Sequence, residues 1–315
     1  MPTGLVLKST GTLYVVLSTD GQKWECQIRG KLRIAGMEST NPIAVGDNVE
    51  FDVEKPGQGN ITNILPRKNY IIRKSVNLSK RSQIIATNID RVYLLATISN
   101  PTVQTGFIDR FLVTAEAYHI PATLVFNKCD LYGADELSRL AQLKVVYRSA
   151  GYPTMEISAL DPETVDPLRQ EIKGCTVLLS GQSGVGKSTL ANALDRNLHL
   201  RTGEISGHHT KGQHTTTFAE MFLLRTGGFV IDTPGIKSFG LFDFDKRELS
   251  HCFPEMRNVL QNCKFHNCQH VEEPGCAVKL GLDKGTIYSE RYLSYLAILN
   301  SDEDESYRRD AHRPK

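Results

Sequence analysis

Gly181-Gln-Ser-Gly-Val-Gly-Lys-Ser188 is the stretch on which the reading of this chain turns. It satisfies G-x-x-x-x-G-K-[ST] without a mismatch. It follows the apolar run Cys175 to Leu179, which reads as a strand, and precedes a helical pattern from Lys187 to Leu194. Gly181, Gly184 and Gly186 let the backbone N–H groups of Gln182, Ser183, Val185, Ser188 and Thr189 converge on phosphate oxygens. The start of the helix adds a field that favours an anion. Lys187 is expected to reach β- and γ-phosphates, and the Ser188 hydroxyl to ligate Mg²⁺.

Upstream, Asn127-Lys-Cys-Asp130 follows the apolar strand Ala122 to Phe126. Guanine presents its N1–H and exocyclic amine side by side, and the Asp130 carboxylate can accept from both; adenine has no such donor pair. Asn127 can donate toward the base, and the Lys128 stem can lie along its plane. Ser158-Ala159-Leu160 follows the strand-like Pro153 to Ile157 and suits a second base-contacting loop, with the Ala159 N–H meeting O6. An ATP-dependent phosphotransferase using the same phosphate loop is the competing enzyme class, and N-K-x-D argues against it.

Downstream, Asp232-Thr-Pro-Gly235 ends another apolar strand and matches D-x-x-G. Asp232 is expected to hold Mg²⁺ through water, and the Gly235 N–H to contact the γ-phosphate. Between the two phosphate motifs lies Gly207-His-His-Thr-Lys-Gly-Gln-His-Thr-Thr-Thr217, a polar stretch expected to be mobile and to carry a threonine that ligates Mg²⁺ while the γ-phosphate is present. Thr215, Thr216 and Thr217 all qualify; Thr216 is favoured. In ordinary GTPases the phosphate loop precedes N-K-x-D. Here N-K-x-D and the Ser-Ala loop come first, so the chain reads as circularly permuted, opened just after D-x-x-G.

Cys263-x₄-Cys268-x-His270-x₅-Cys276 gathers four soft or borderline ligands in a short span. Cys₃His suits a tetrahedral Zn²⁺ with no position left open for water, hence a structural site. His266 and Cys252 are alternative ligands, and the compact set is preferred. Cys26, Cys129 and Cys175 read as packing residues.

Around this centre, 315 residues are enough for two or three domains, and 40% hydrophobic with 23% charged residues excludes disorder and fibres. A net charge of +2 gives no global pull toward nucleic acid, so any basic surface is local. The N-terminus lacks a signal-peptide pattern, and no apolar run approaches the roughly 20 residues needed to span a bilayer. A cytoplasmic protein without a membrane partner is expected. Leu13 to Leu17 and Lys23 to Ile28 flank a hairpin signal at Asp20-Gly21, and Asp47 to Val53 alternates; short strands without a helix suggest an OB-fold barrel. Arg67, Lys68, Arg73, Lys74, Lys80 and Arg81, with Tyr70 among them, form either a solvated linker or a phosphate-contacting strip. From Asp90, strands alternate with helices, which argues for a covered parallel sheet. The expected division is an OB-fold over 1–68, a permuted α/β GTPase domain over 69–240, and a mostly helical zinc-binding domain with its tail over 241–315.

Taken together, these motifs, with His214-Thr-Thr-Thr217, Ser238-Phe-Gly240 and Glu273-Pro-Gly-Cys-Ala-Val278, make the chain resemble the RsgA family of ribosome small-subunit-dependent GTPases over nearly its whole length. The resemblance implies a GTPase that acts in late maturation of the small ribosomal subunit, gripping it near its decoding region, with hydrolysis stimulated by the subunit. GTP and GDP, the subunit and its 16S rRNA are the partners so implied, for a chain acting as a monomer. It also selects Cys263, Cys268, His270 and Cys276 as zinc ligands, and it leaves the threonine open. Many GTPases place Gln after D-x-x-G to orient the attacking water. Ile236 occupies that position here and can make no such hydrogen bond. His214, directly before the threonines, is the expected substitute, ahead of His208 and His209. The helix bearing Tyr288, Tyr292, Leu293 and Tyr295, and the segment Asp245 to Phe253, are read as core first and rRNA contacts second.

Overall fold

The computed structural model describes residues 1–28, 42–74, 82–200, 219–232 and 245–301. Five strands open it: β1 (Thr3–Ser9), β2 (Tyr14–Ser18), β3 (Lys23–Ile28), β4 (Asn48–Lys55) and β5 (Gln58–Ile64). The turn at Asp20-Gly21 works as its sequence requires. Gly21 has a φ of 84°, and its N–H donates to the Ser18 carbonyl. Pairing runs β1-β2-β3-β5-β4 and returns to β1, antiparallel except for β3 with β5, so the sheet closes on itself as a barrel. Alternate residues such as Tyr14 and Val16, or Val49 and Phe51, fill the interior with Val6, Cys26, Ile43 and Ile61. The arrangement is that of an OB-fold.

The basic stretch after the barrel is not a plain linker. It contributes β6 (Tyr70–Lys74), which pairs antiparallel with β7 (Ser82–Thr87). Two of its cations are already engaged. Arg67, its side chain 9% exposed, forks onto the fully buried Asp47 at 2.6 Å. Lys68 pairs with Asp90. Arg67 is therefore a structural cation, while Lys68 sits in a half-exposed surface pair; the side chains of Arg73 and Lys74 and the whole of Lys80 and Arg81 lie outside what is described.

The central part alternates β8 (Arg91–Ala96), α1 (Thr105–Ala117), β9 (Ala122–Phe126), α2 (Ala134–Ser149), β10 (Thr154–Glu156), α3 (Pro162–Glu171), β11 (Thr176–Gly181), α4 (Lys187–Leu194), β12 (Glu220–Leu223) and β13 (Phe229–Asp232). Val92, Leu94, Leu124, Val125, Val177, Leu178, Val230 and Ile231 are at most 1% exposed, as continuous apolar strands covered on both faces should be. The order is β10-β9-β8-β11-β13-β12, parallel except for β12. On its other side β12 bonds β1 of the barrel through Lys8 and Glu220, whose side chains also form an ion pair at 3.1 Å. One continuous sheet therefore runs through both parts.

The C-terminal part has a 3₁₀ segment (Lys246–Cys252), then α5 (Pro254–Arg257), α6 (Ala277–Asp283) and α7 (Ser289–Leu299). Leu249, Cys252, Phe253, Met256, Val278, Ile287 and Tyr295 form its core, which closes on Val113 of α1. Tyr295 is thus a core residue, whereas Leu293 is 63% exposed. Arg291 of α7 is buried where α1, α5 and α7 meet.

Candidate functional site

Because β8, β9, β10, β11 and β13 are parallel, their C-terminal ends share one edge of the sheet. That edge is where α/β sheets receive ligands. Asn127 follows β9, Ser158 and Ala159 follow β10, the phosphate loop leaves β11, and Asp232 ends β13 opposite Leu179 of β11. Motifs scattered over a hundred residues of sequence therefore gather in one place.

Asn127 is the joint between three of them. Its side chain is buried. Nδ2 donates to the Val185 carbonyl at 2.8 Å, and Oδ1 accepts the Ala159 N–H at 3.0 Å. The sequence motifs aim both the Asn127 amide and the Ala159 N–H at the base; here they hold each other, and one Nδ2 hydrogen remains for a ligand. Gly186 makes this joint possible. Its φ is 97°, and a Cβ there would lie 2.3 Å from Asn127 Nδ2. Lys187 donates to the carbonyls of Gly181 and Gln182, at 2.9 and 2.8 Å. Burial holds its pKa below the ordinary lysine value, and the charge of Asp232 opposes that shift. Ser188 and Thr189 are half-buried in the first turn of α4, Ser183 is exposed, and Gly184 has a φ of 84°. Asp130 is exposed, on a 3₁₀ turn that begins beyond Lys128.

A groove of about 800 Å³ runs between α3 and α4, lined by Leu160, Asp166, Arg169, Asn192, Asp195 and Arg225 among others, and no residue of Asn127–Asp130 or Gly181–Ser188 lines it. Leu160 is 78% exposed there. Nothing in the tripeptide Ser158-Ala159-Leu160 announced an apolar side chain left bare at this position. Tyr132 was also missed; its phenol bonds the Asn127 carbonyl. His214, Thr216 and Gly235 lie outside the described residues.

Cys263, Cys268, His270 and Cys276 come together with their ligand atoms all within 4.8 Å of one another. His270 Nδ1 is 3.7 Å from Cys263 Sγ and 3.4 Å from Cys276 Sγ. A tetrahedral ion with ordinary Zn–S and Zn–N bonds puts S···N edges at about 3.6 Å, so the donor set fits a metal ion held through Nδ1. Burial pushes the Cys268 thiol up to about 12, and neighbouring thiols add to it; a cation is what would let such a group ionise. His266 is exposed and outside the cluster, and Cys252 packs in the core. The supporting loop is tied down. Glu273 accepts the N–H groups of Gln269, Val271 and Glu272, while Tyr292 and Tyr295 donate to the carbonyls of His270 and Gln269.

Residues 64–242 match the family model described as RsgA GTPase, and residues 3–61 match that of the RsgA N-terminal domain. A protein of Christiangramia forsetii named small ribosomal subunit biogenesis GTPase RsgA is 54% identical, over 98% of this chain and 99% of its own length. One of the same name from Bacteroides fragilis is 51% identical over 97% and 98%. Among solved structures, YjeQ from Thermotoga maritima superposes with a TM-score of 0.77 at 33% identity, covering 99% of both chains. YloQ, described as a circularly permuted GTPase, gives 0.73 at 27% identity over 100% of this chain and 97% of its own.

Proposed function

This chain belongs to the RsgA GTPase family, and from that premise we propose that it binds the small ribosomal subunit through 16S rRNA and hydrolyses GTP there during late maturation. The observation that carries the reading is the convergence at one sheet edge of Asn127, Ala159, the phosphate loop and Asp232. Asp130 accepts from the guanine N1–H and amine. Lys187 leaves the two carbonyls that hold it and turns to the β- and γ-phosphates. Ser188, Thr216 and Asp232 would hold Mg²⁺, which would neutralise charge on the transferring phosphoryl group. Water, oriented by His214, attacks the γ-phosphorus; the bond to the bridging oxygen breaks, leaving GDP and phosphate. The Gly235 N–H meets a γ-phosphate oxygen.

Zinc is the metal we assign to the Cys₃His cluster, in a structural role, since four protein ligands leave no open position. The protein acts as a monomer in the cytoplasm. No helix among the described residues is long and apolar enough to cross a membrane. The test is GTP turnover with and without purified small subunits. Strong stimulation supports the reading; turnover indifferent to the subunit, at concentrations where the two demonstrably bind, would overturn it.

A further inference from the structure

Lys128 sits with a φ of 65°, in the left-handed region that an L-residue occupies only where its surroundings hold it. That torsion is tied to the orientation of the peptide group joining Asn127 to Lys128. The carbonyl oxygen of this peptide accepts a 2.6 Å hydrogen bond from the phenol of Tyr132. The same phenol oxygen accepts the backbone N–H of Ile98 at 2.9 Å, just beyond the end of β8. A second clasp lies alongside: Lys128 Nζ donates to the Asn100 carbonyl at 2.6 Å. The segment after β8 thus holds the segment after β9 at two points.

What hangs on this peptide is the base-reading carboxylate. The turn Cys129–Leu131 that carries Asp130 starts from Lys128, whose carbonyl accepts the Leu131 N–H at 3.0 Å. If the Asn127–Lys128 peptide rotates to relax Lys128, that turn swings with it. Tyr132 itself is buried and points at backbone, not at the groove. Burial pushes its pKa up to about 12, so the phenol remains a donor throughout the neutral range. We propose that Tyr132 is a positioning residue for guanine selectivity: its hydroxyl pins the Asn127–Lys128 peptide and so fixes Asp130 against the base. This rests on the reading of Asn127 to Asp130 as the guanine loop. Tyr132 does not touch the nucleotide; it acts through Lys128 and Asp130.

The test uses the full-length protein and equilibrium binding of GDP, GTP and IDP, the last lacking the exocyclic amine that Asp130 accepts from. Tyr132→Phe keeps the ring and removes the hydroxyl, orphaning one backbone acceptor and one donor. GDP and GTP affinities should fall together, roughly tenfold. The preference for GDP over IDP should shrink, and kcat at saturating GTP should stay near wild type. A glycine at 128 occupies positive φ without strain. In a Lys128→Gly background, therefore, adding Tyr132→Phe should weaken GDP binding less than about threefold, a coupling that mere loss of core packing would not produce. Wild-type GDP and IDP binding in Tyr132→Phe overturns the proposal, and so does an equal loss in both backgrounds. Asp130→Asn separates the two levels. It should lose GDP affinity and gain affinity for xanthosine diphosphate. If it does so while Tyr132→Phe binds like wild type, only the Tyr132 assignment falls; if it binds GDP unchanged, the guanine-loop reading falls and takes this proposal with it.

Discussion

Arg291 of α7 and Asp109 of α1 face each other at 2.7 Å with both side chains only 1% exposed. Around them, Arg291 also donates to Glu255, its guanidinium lies 4.7 Å from the Phe253 ring centre, and Ser294 donates to Asp109. Burial pushes the Asp109 carboxyl above the usual range, and the adjacent Arg291 opposes that shift. A buried cluster of this kind adds little net stability over an apolar filling, but it is intolerant of losing one member. It joins the part that carries the Cys₃His cluster to the part that carries the phosphate loop.

Arg291→Met should therefore destabilise the protein by roughly 3–5 kcal/mol, because Asp109 and Glu255 would remain buried without their cation. Urea denaturation followed by tryptophan-independent circular dichroism measures it. A loss below about 1 kcal/mol would mean that the cluster is not a joint.

Gly186→Ala places a methyl 2.3 Å from Asn127 Nδ2 on a residue with a φ of 97°. Strain and the broken Asn127–Val185 bond act together, and GDP affinity should drop about 100-fold by calorimetry. Gly106→Ala on α1, where a Cβ meets nothing within 4 Å, is the contrast. It should leave affinity unchanged and add about 0.5 kcal/mol of stability.

The wild-type chain should carry one zinc ion by elemental analysis. Cys263→Ala with Cys268→Ala should abolish it and lower the melting temperature of the C-terminal part, since metal binding and folding are coupled there. GTP affinity should change little, because the base and phosphate loops lie elsewhere. Full zinc occupancy in the double variant would exclude this ligand set.

Arg67 and Lys68 are engaged by Asp47 and Asp90, so a test of the basic stretch belongs to β6. Reversing Arg73 and Lys74 to Glu should weaken subunit binding and flatten its dependence on salt, each lost phosphate contact reducing the slope by about one. An unchanged slope would mean that β6 faces solvent in the complex.

His214→Ala should lower subunit-stimulated kcat by roughly 100-fold while leaving GTP affinity and subunit binding near wild type. The ground is the sequence: Ile236 stands where a water-orienting Gln is common, and His214 adjoins the threonines expected at Mg²⁺. Stimulated turnover at the wild-type rate would remove His214 from the mechanism.

Much of this was legible because it is local. Lys187–Leu194 and Ala122–Phe126 have the bounds their patterns gave. The hairpin at Asp20-Gly21 follows from one glycine torsion. Cys263 to Cys276 could be paired on paper because the four ligands share one short loop region. What escaped depends on distant residues. Glu220–Leu223 is four residues long and exists as a strand because β13 and β1 flank it. Arg67 looks like any linker cation until Asp47 is found beneath it. Asn127 reads as a base contact, but its amide partner, Val185, comes from the phosphate loop made later in the chain and bonds through a carbonyl that every residue possesses.

The permuted order has a consequence for how this protein is made. β8 starts at Arg91, but its central neighbour β11 starts at Thr176, and β13, which completes the parallel sheet, ends at Asp232. During synthesis Asn127-Lys-Cys-Asp130 leaves the exit tunnel well before the phosphate loop. Through that interval β8 offers Val92-Tyr-Leu-Leu-Ala96 as an uncovered edge, the kind that pairs with the wrong strand. An unpermuted relative would make its phosphate-loop strand first and lay the others against it. The parallel sheet begins with one flank and gains its centre afterwards, so truncation between Glu156 and Thr176 should yield a sticky half-sheet with no nucleotide to stabilise it.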